Sequence, residues 1–312
     1  MTSAVPAPSS AAVPLAEALA AGVLVLDGGM SNQLEAAGHD LSDALWSARL
    51  LADAPEAVAA VHRAYYAAGA QVAITASYQA SFEGYAKVGI GPQEAEQLLR
   101  RSVELARTAA RETAGGSARR WVAASVGPYG AVLADGSEYR GRYGLSVAEL
   151  ERFHRPRLEA LASAGPDVLA LETVPDTDEA EALLRAVDGL GVPVWLSYSV
   201  AGGRTRAGQS LEQAFGLVAG LDQVLAVGVN CCAPEEAAEA VELTAAVTGK
   251  PVVVYPNSGE GWDPEARSWA GPATFAPERV GEWTRAGARL VGGCCRVGAE
   301  QIAELALTLG AR

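Results

Sequence analysis

Eight short apolar runs recur along the chain, rich in Val, Leu, Ile and Ala and without regular polar alternation. Runs of this kind are typical of parallel strands that are buried on both faces of a sheet. A chain that repeats them needs helices to cover both faces. The runs are residues 23–27, 71–75, 121–126, 167–171, 193–199, 224–230, 251–255 and 289–291.

Segments with helical spacing separate these runs. Ser146 and Glu149 form an S-x-x-E capping box at the start of one of them. Gly69 and Gly165 each follow the end of a helical segment, where glycine tolerates the left-handed backbone conformation that ends many helices. Eight strand–helix units predict an α/β fold, a single (β/α)8 TIM-type barrel. The helical segments are residues 54–68, 92–114, 146–164, 178–187, 211–219, 234–247, 277–286 and 299–309.

A doubly wound open sheet is the alternative arrangement of the same elements. Dinucleotide-binding sheets of that class carry G-x-G-x-x-G after the first strand, whereas this chain has only the pair Gly28-Gly29. In a barrel, the loops that follow the strands form the active-site face. The long segments 127–145 and 256–276, rich in Gly, aromatic and charged residues, are therefore predicted to be unstructured active-site lids.

The composition argues against two classes of protein, disordered proteins and nucleic-acid-binding proteins. The chain has 312 residues, 50% of them hydrophobic, and a formal net charge of −13. It is too apolar for a disordered protein, and so acidic a chain repels phosphate backbones, which argues against a nucleic-acid partner. We expect residues 1–12 to be a disordered tail and residues 13–312 to be one barrel domain.

Membrane and secretory signals are not evident. The first residues contain no Lys or Arg, so the charged start of a secretory signal is missing. The longest apolar stretch, residues 15–26, is interrupted by Glu17 and Gly22 and is too short to span a bilayer. The sequence favours a cytoplasmic protein without a membrane partner.

The four cysteines form two adjacent pairs, Cys231-Cys232 and Cys294-Cys295. They follow the sixth and eighth predicted strands, which flank the seventh, so their loops lie within reach of each other. Thiols from two neighbouring loops can form a zinc site, although buried cysteines are often only small apolar residues. A structural site with four cysteines usually shows C-x2-C spacing, so adjacent pairs favour three bound thiolates and one open position.

Polar residues at the carboxyl ends of the other predicted strands are expected to converge on the same site. None of the three histidines follows a strand, which argues against a histidine-ligated metal. The converging residues are Asp27, Ser77, Tyr78, Tyr129, Glu172, Tyr198, Asn230, Cys231, Tyr255, Asn257, Cys294 and Cys295.

The sequence around these residues resembles the homocysteine S-methyltransferase family. Two stretches, GVNCCAP and VGGCCR, resemble its zinc-binding motifs, and the other similar stretches follow in the family's order over about residues 20–310. The two long loops are most similar to the bacterial and plant branch that uses S-methylmethionine or S-adenosylmethionine. The remaining stretches are LDGGMSNQLE, DALWSARLL, ITASYQAS, SVGPYGAVLADGSEYRG, FHRPRLEAL, LETVP and VVYPNSGE.

The resemblance implies roles for individual residues. It assigns Zn2+ to Cys231, Cys294 and Cys295, with Cys232 one position beyond the motif and not a ligand. It assigns the amino group of L-homocysteine to Asp27 and Glu172; a helix cap and an arginine partner are the respective structural alternatives. The betaine-using branch has an aromatic residue after that Glu, where this chain has Thr173.

The implied reaction is methyl transfer from a sulfonium donor to the thiol of L-homocysteine, forming L-methionine. Only the thiolate is a good nucleophile, and Zn2+ deprotonates a bound thiol near neutral pH. Three thiolates and Zn2+ carry a net charge of −1, which keeps the bound sulfur electron-rich. Because the attack is a direct displacement, positioning is the protein's main task.

Several assignments stay open on the sequence alone. Trp46, Tyr78, Tyr255 and Tyr129 are aromatic candidates for facing the sulfonium, or they belong to the core or to the pocket wall. Asn230 either positions substrate or braces its loop. Glu138 and Asp135 either attract the cation or are solvated surface charges.

Two rival functions also remain. One is methyl transfer to a related thiol or selenol, such as selenohomocysteine or selenocysteine. The other is a zinc-thiolate redox sensor without turnover.

Overall fold

The computed structural model describes residues 13–41, 45–114, 119–263 and 268–310. All neighbouring strands of its main sheet are parallel. Its strands are β1 (Leu24–Val25), β2 (Val72–Ile74), β3 (Trp121–Val126), β4 (Val168–Val174), β5 (Val194–Tyr198), β6 (Val224–Asn230), β7 (Val252–Tyr255) and β8 (Ala288–Val291). The strand order is β1-β8-β7-β6-β5-β4-β3-β2, and a parallel bridge from Leu26 to Val72 brings β1 beside β2. The ring therefore closes, which confirms the predicted (β/α)8 barrel over an open sheet.

The predicted long helices are present within a few residues of their expected ends, and the Ser146–Glu149 capping box is formed. Five short helices within the described ranges were not predicted, because five to seven residues hold too few turns for a clear apolar period. They are Leu15–Ala21, Met30–Ala36, Ser47–Asp53, Phe82–Lys87 and Tyr129–Leu133. The helices are α1 (Leu15–Ala21), α2 (Met30–Ala36), α3 (Ser47–Asp53), α4 (Pro55–Ala67), α5 (Phe82–Lys87), α6 (Pro92–Thr113), α7 (Tyr129–Leu133), α8 (Val147–Ser163), α9 (Thr177–Ala186), α10 (Leu211–Gly216), α11 (Pro234–Thr248), α12 (Val280–Ala286) and α13 (Ala299–Thr308).

The two long loops contain regular structure, so the expectation that they are unstructured is wrong, whereas a role as active-site lids stays a prediction. The first holds α7 and a 3-10 turn over Ser137–Tyr139. The second holds an antiparallel hairpin of Gly261–Asp263 with Ser268–Ala270, whose connecting residues 264–267 lie outside the described residues. A third pairing, Val200–Ala201 with Arg204–Thr205, follows β5.

Alternation along the strands separates two apolar layers. Trp121 and Ala123 of β3 belong to the barrel interior, whereas Val122 and Ala124 pack outward against the helices. Helix α1 also joins the interior layer, and Trp121 Nε1 at the start of β3 donates to the Val13 carbonyl oxygen at 3.1 Å. Helix α1 therefore covers the amino end of the barrel and leaves the carboxyl end for the site.

The predicted tail, residues 1–12, lies outside the described residues, and its separation from a barrel domain of residues 13–312 stays a prediction. Among the helices that the structure describes, none is long and apolar enough to cross a membrane.

Candidate active site

Three cysteine sulfurs meet at the carboxyl end of the barrel. The Sγ atoms of Cys231, Cys294 and Cys295 all lie within 4.8 Å of one another, and those of Cys231 and Cys295 are 3.7 Å apart. Hydrogen bonds from the Cys294 and Cys295 thiols lower the pKa of the Cys231 thiol well below its usual range. The two predicted cysteine loops are thus brought together as expected.

The carboxyl end of β7 and the loop that follows it join the two cysteine loops through hydrogen bonds. The Cys231 N–H donates to the Tyr255 carbonyl oxygen at 3.2 Å, and the Cys294 N–H donates to the Pro256 carbonyl oxygen at 2.8 Å. The Cys295 N–H donates to Asn257 Oδ1 at 3.2 Å. This segment therefore fixes the backbone positions of all three cysteines.

The spacing of the sulfurs fits a tetrahedral metal ion. Zinc–sulfur bonds of about 2.3 Å in a tetrahedron place two thiolate sulfurs about 3.8 Å apart, and Cys231 and Cys295 are separated by 3.7 Å. Three thiolates also suit a soft or borderline metal and leave one tetrahedral position for another ligand. These residues can hold such a metal ion.

The Cys232 side chain points away from the cluster of the other three cysteines. It is fully buried in the apolar layer between the sheet and the helices. Burial, together with the charge of Cys231, raises the pKa of the Cys232 thiol. The inert, protonated thiol agrees with the expectation that Cys232 is not a ligand.

Asp27 lies directly beyond β1, with its carboxylate 1% exposed. Oδ2 accepts a hydrogen bond from the Ile74 N–H at 2.8 Å, while Oδ1 has no hydrogen-bond partner among the described residues. Burial and the charge of Glu172 raise the pKa of Asp27 well above its usual range. The cap of α2 is Gly29, so Asp27 is not that helix's cap.

Glu172 points into the barrel from β4, two residues after the interior residue Ala170. Its carboxylate accepts hydrogen bonds from Ser125 Oγ and from the Tyr255 hydroxyl at 3.0 Å. Burial raises the pKa of Glu172 to about 7, against the effect of these two hydrogen bonds. The partners are hydroxyl groups rather than an arginine.

Two predicted site residues serve as braces in this structure. Asn230 Oδ1 accepts from the Thr173 N–H and from Ser197 Oγ, both at 2.8 Å, and Nδ2 donates to Thr173 Oγ1 at 2.7 Å. The Tyr255 hydroxyl also lies 2.8 Å from Ser197 Oγ. They hold the end of β4, and direct contact of either with substrate stays a prediction.

The other aromatic candidates are spread over the rim. Tyr78 is half-buried, and Gly127 leaves room for it, since a Cβ there would lie 2.7 Å from its ring. The Tyr129 ring packs edge-on against Phe153 with centroids 4.9 Å apart. Trp46 is 41% exposed.

Sequence reasoning missed two residues beside the cysteines. The Tyr139 hydroxyl lies 3.3 Å from Cys231 Sγ. Arg206 stacks over the Tyr139 ring at 5.3 Å, and its Nη2 donates to the Cys231 carbonyl oxygen at 3.4 Å. Both come from loops after the third and fifth strands, so only their position beyond a strand end could have indicated them.

Buried Glu179 anchors the loop that carries Tyr139. Its carboxylate accepts from the Tyr129 N–H at 2.6 Å and from the Tyr143 hydroxyl at 3.1 Å, and it contacts His154 Nε2 at 2.9 Å. The two ends of the loop are thereby tied to α8 and α9. The loop thus has a fixed position over the site.

We expect Glu179→Gln to lower the free energy of unfolding by about 1–3 kcal/mol, since it leaves buried donors without a full acceptor. Glu181→Gln on the same helix is the matched control, because its pair with Arg185 is exposed and worth about 0.3–0.5 kcal/mol. Urea denaturation of the three proteins measures both effects. Equal effects of the two substitutions would contradict the anchoring role.

Comparison with known proteins agrees with this geometry. The family model for homocysteine S-methyltransferase matches residues 24–309. Homocysteine S-methyltransferase 4 of Zea mays is 46% identical over 306 residues, which cover 92% of this chain and 89% of the relative. Homocysteine S-methyltransferase YbgG of Bacillus subtilis is 44% identical over 296 residues, covering 91% and 93%.

A solved structure is also similar along its length. The metallated form of the homocysteine methyltransferase MmuM from Escherichia coli has a TM-score of 0.82 and is 44% identical, covering 91% of this chain and 95% of that one. Because the sequence match and the fold match both span almost all of the barrel, the chain belongs to the homocysteine S-methyltransferase family.

Proposed function

We propose that this protein transfers a methyl group from a sulfonium donor, S-methylmethionine or S-adenosylmethionine, to L-homocysteine, forming L-methionine. Zn2+ held by Cys231, Cys294 and Cys295 is the proposed cofactor. The observation that carries the proposal is the close approach of the three sulfurs beside two buried carboxylates, Asp27 and Glu172. The relative solved in a metallated form supports the metal.

The metal's contribution is to hold the homocysteine sulfur as a thiolate near neutral pH. The protein's own side chains then have to place that sulfur. Cys231 and Cys295, whose Sγ atoms are 3.7 Å apart, would hold the metal together with Cys294. Tyr139, 3.3 Å from Cys231 Sγ, lies beside these cysteines and restricts the space in which the thiol can bind.

The buried carboxylates of Asp27 and Glu172 are the proposed binding partners of the homocysteine amino group. Asp27 Oδ1 lies buried and, within the part of the chain that the structure describes, has no hydrogen-bond partner. An ammonium donates up to three hydrogen bonds, and its positive charge stabilises the ionised form of two neighbouring buried carboxylates. Ser125 and Tyr255 hold Glu172 in place, so the ammonium meets an oriented pair.

A sulfonium is the donor class that this chemistry favours. The homocysteine sulfur forms a bond to the methyl carbon as the bond from that carbon to the donor sulfur breaks. The electron pair of the broken bond stays on the donor sulfur, which leaves as a neutral thioether. No activating group is needed, in contrast to a methyl group on the amine of methylfolate.

Four donors tested at equal concentration with zinc-loaded protein and homocysteine check the proposal. We expect methionine formation with S-methylmethionine first and S-adenosylmethionine second, and none with betaine or methylfolate. Betaine is also cationic, so the discrimination against it depends on the loops and on Thr173. Betaine turnover equal to that with S-methylmethionine would contradict the donor assignment and leave the thiolate chemistry intact.

A further inference from the structure

Glu138 is a buried carboxylate that the mechanism above does not use. It lies in the 3-10 turn over Ser137–Tyr139 and is only 7% exposed. Its Oε2 atom is buried and finds no hydrogen-bond partner in the described ranges. A buried carboxylate oxygen without a partner costs free energy of folding, and a cationic ligand beside it would compensate that cost.

The turn that carries Glu138 lies beside the cysteine cluster. The chain neighbour of Glu138, Tyr139, reaches Cys231 Sγ at 3.3 Å. Burial raises the pKa of Glu138 to about 7, and the charges of Cys231 and Asp135 add to this rise. Glu138 in turn raises the pKa of the Tyr78 phenol, together with burial. The Glu138 carboxylate is therefore close enough to Cys231 and to Tyr78 for its charge to act on both.

The turn is held rigidly enough to aim this side chain. A Cβ at Gly130 would lie 2.4 Å from the Glu138 nitrogen, so α7 packs directly on the turn. Asp135 Oδ1 accepts from the Ser137 N–H at 3.0 Å, and Glu179 anchors the loop near both ends. Glu138 has few ways to turn out to solvent.

We propose that the Glu138 carboxylate lies against the sulfonium of the methyl donor and selects donors by that positive charge. The inference rests on the proposed function, since it takes the donor to be a sulfonium. A cation beside Glu138 and the Tyr78 ring gains both ion pairing and a cation–π contact.

The charge balance of the reaction sets which kinetic constant Glu138 affects. Positive charge leaves the donor sulfur as the methyl group moves, so the carboxylate stabilises the bound donor more than the transition state. Removing it therefore raises KM for the donor and leaves kcat unchanged or slightly higher. After transfer the thioether is neutral and the attraction is gone, which favours product release.

The test compares a cation with its neutral counterpart in the absence of homocysteine. Binding of S-adenosylmethionine and of S-adenosylhomocysteine to zinc-loaded protein is measured by titration calorimetry. The wild type is expected to prefer the sulfonium by about tenfold or more, and Glu138→Gln is expected to lose that preference. The affinity for the thioether should stay the same, with zinc content and melting temperature not reduced.

Asp135→Asn is the matched control. It removes one negative charge from the same loop at an exposed position and keeps an oxygen to accept from Ser137, so the preference should persist. Should Glu138→Gln not fold, Glu138→Asp keeps a shorter carboxylate and is expected to show a reduced preference.

Three results overturn the inference. One is an unchanged preference in the folded Glu138 variant. Another is an equal loss of affinity for both compounds, which would place the donor's amino group at Glu138. The third is a wild type that binds the two equally. A wild type that makes no methionine from either sulfonium donor would instead refute the proposed function itself.

Discussion

Replacing Cys231, Cys294 or Cys295 by alanine is expected to remove the bound metal and to abolish methyl transfer. Each sulfur supplies one corner of the cluster, whose members lie within 4.8 Å of one another, and two thiolates cannot complete a tight zinc site. Metal content by elemental analysis, expected at one zinc per chain in the wild type, and methionine formation measure the two losses.

Cys232→Ala is the internal control for this series. The Cys232 thiol is buried in the apolar layer, so its removal leaves a small cavity and costs about 1 kcal/mol of stability. Zinc content and activity should largely remain. Loss of zinc in Cys232→Ala with retention in Cys231→Ala would show that the ligand assignment is wrong by one residue.

The backbone adds a check on folding in the same series. Cys231 has φ of 51°, in the left-handed region, where alanine and cysteine meet a similar steric cost. Cys231→Ala therefore introduces no new backbone strain. Circular dichroism of the metal-free proteins should show the same fold, so a lost activity can be attributed to the sulfur.

The barrel and much of the site could be predicted because they depend on short-range pattern. Apolar runs mark the strands, and parallel strands in a barrel all end at one face. Asp27, Glu172 and the cysteines directly follow or end such runs, so their convergence follows from topology. Alternation alone puts Glu172 inside, since Ala170 two positions earlier is an interior residue.

The residues that sequence reasoning missed or left open depend on how loops fold. The polar sequence around Glu138 predicts a surface charge. In the structure Gly130 packs against the turn that carries Glu138, and the Glu138 side chain is buried. Arg206 reaches Cys231 from the far side of a short hairpin. No local periodicity encodes such contacts, because they arise from long-range packing of two loops against each other.

Asp27→Asn and Glu172→Gln are expected to weaken homocysteine binding by roughly ten- to a hundredfold without removing zinc. Each substitution withdraws a charged partner from a buried ammonium, which costs about 1.5–3 kcal/mol. The shapes of the side chains are kept, so the fold should survive. Titration of the zinc-loaded variants with homocysteine measures the loss, and unchanged affinity in both would refute the amine-binding role.

The same two carboxylates should oppose folding of the unliganded protein at neutral pH. Burial raises the pKa of Glu172 from an ordinary value of 4.5 to about 7 and also raises that of Asp27. Folding therefore favours the protonated forms, and the contribution of Glu172 to stability is present at acid pH and lost as pH rises through about 7. Glu172→Gln should be the more stable protein above that pH and gain nothing below about pH 4.5.

Homocysteine binding should show the opposite dependence on pH, because the ammonium needs the ionised carboxylate. The affinity advantage of the wild type over Glu172→Gln is expected to be small at about pH 5.5 and to grow as pH rises through about 7. Deprotonation of the homocysteine thiol affects both proteins alike, so the ratio of their affinities isolates the carboxylate. A ratio that stays constant between about pH 5.5 and about pH 8.5 would mean that Glu172 titrates outside this range or does not meet the ammonium.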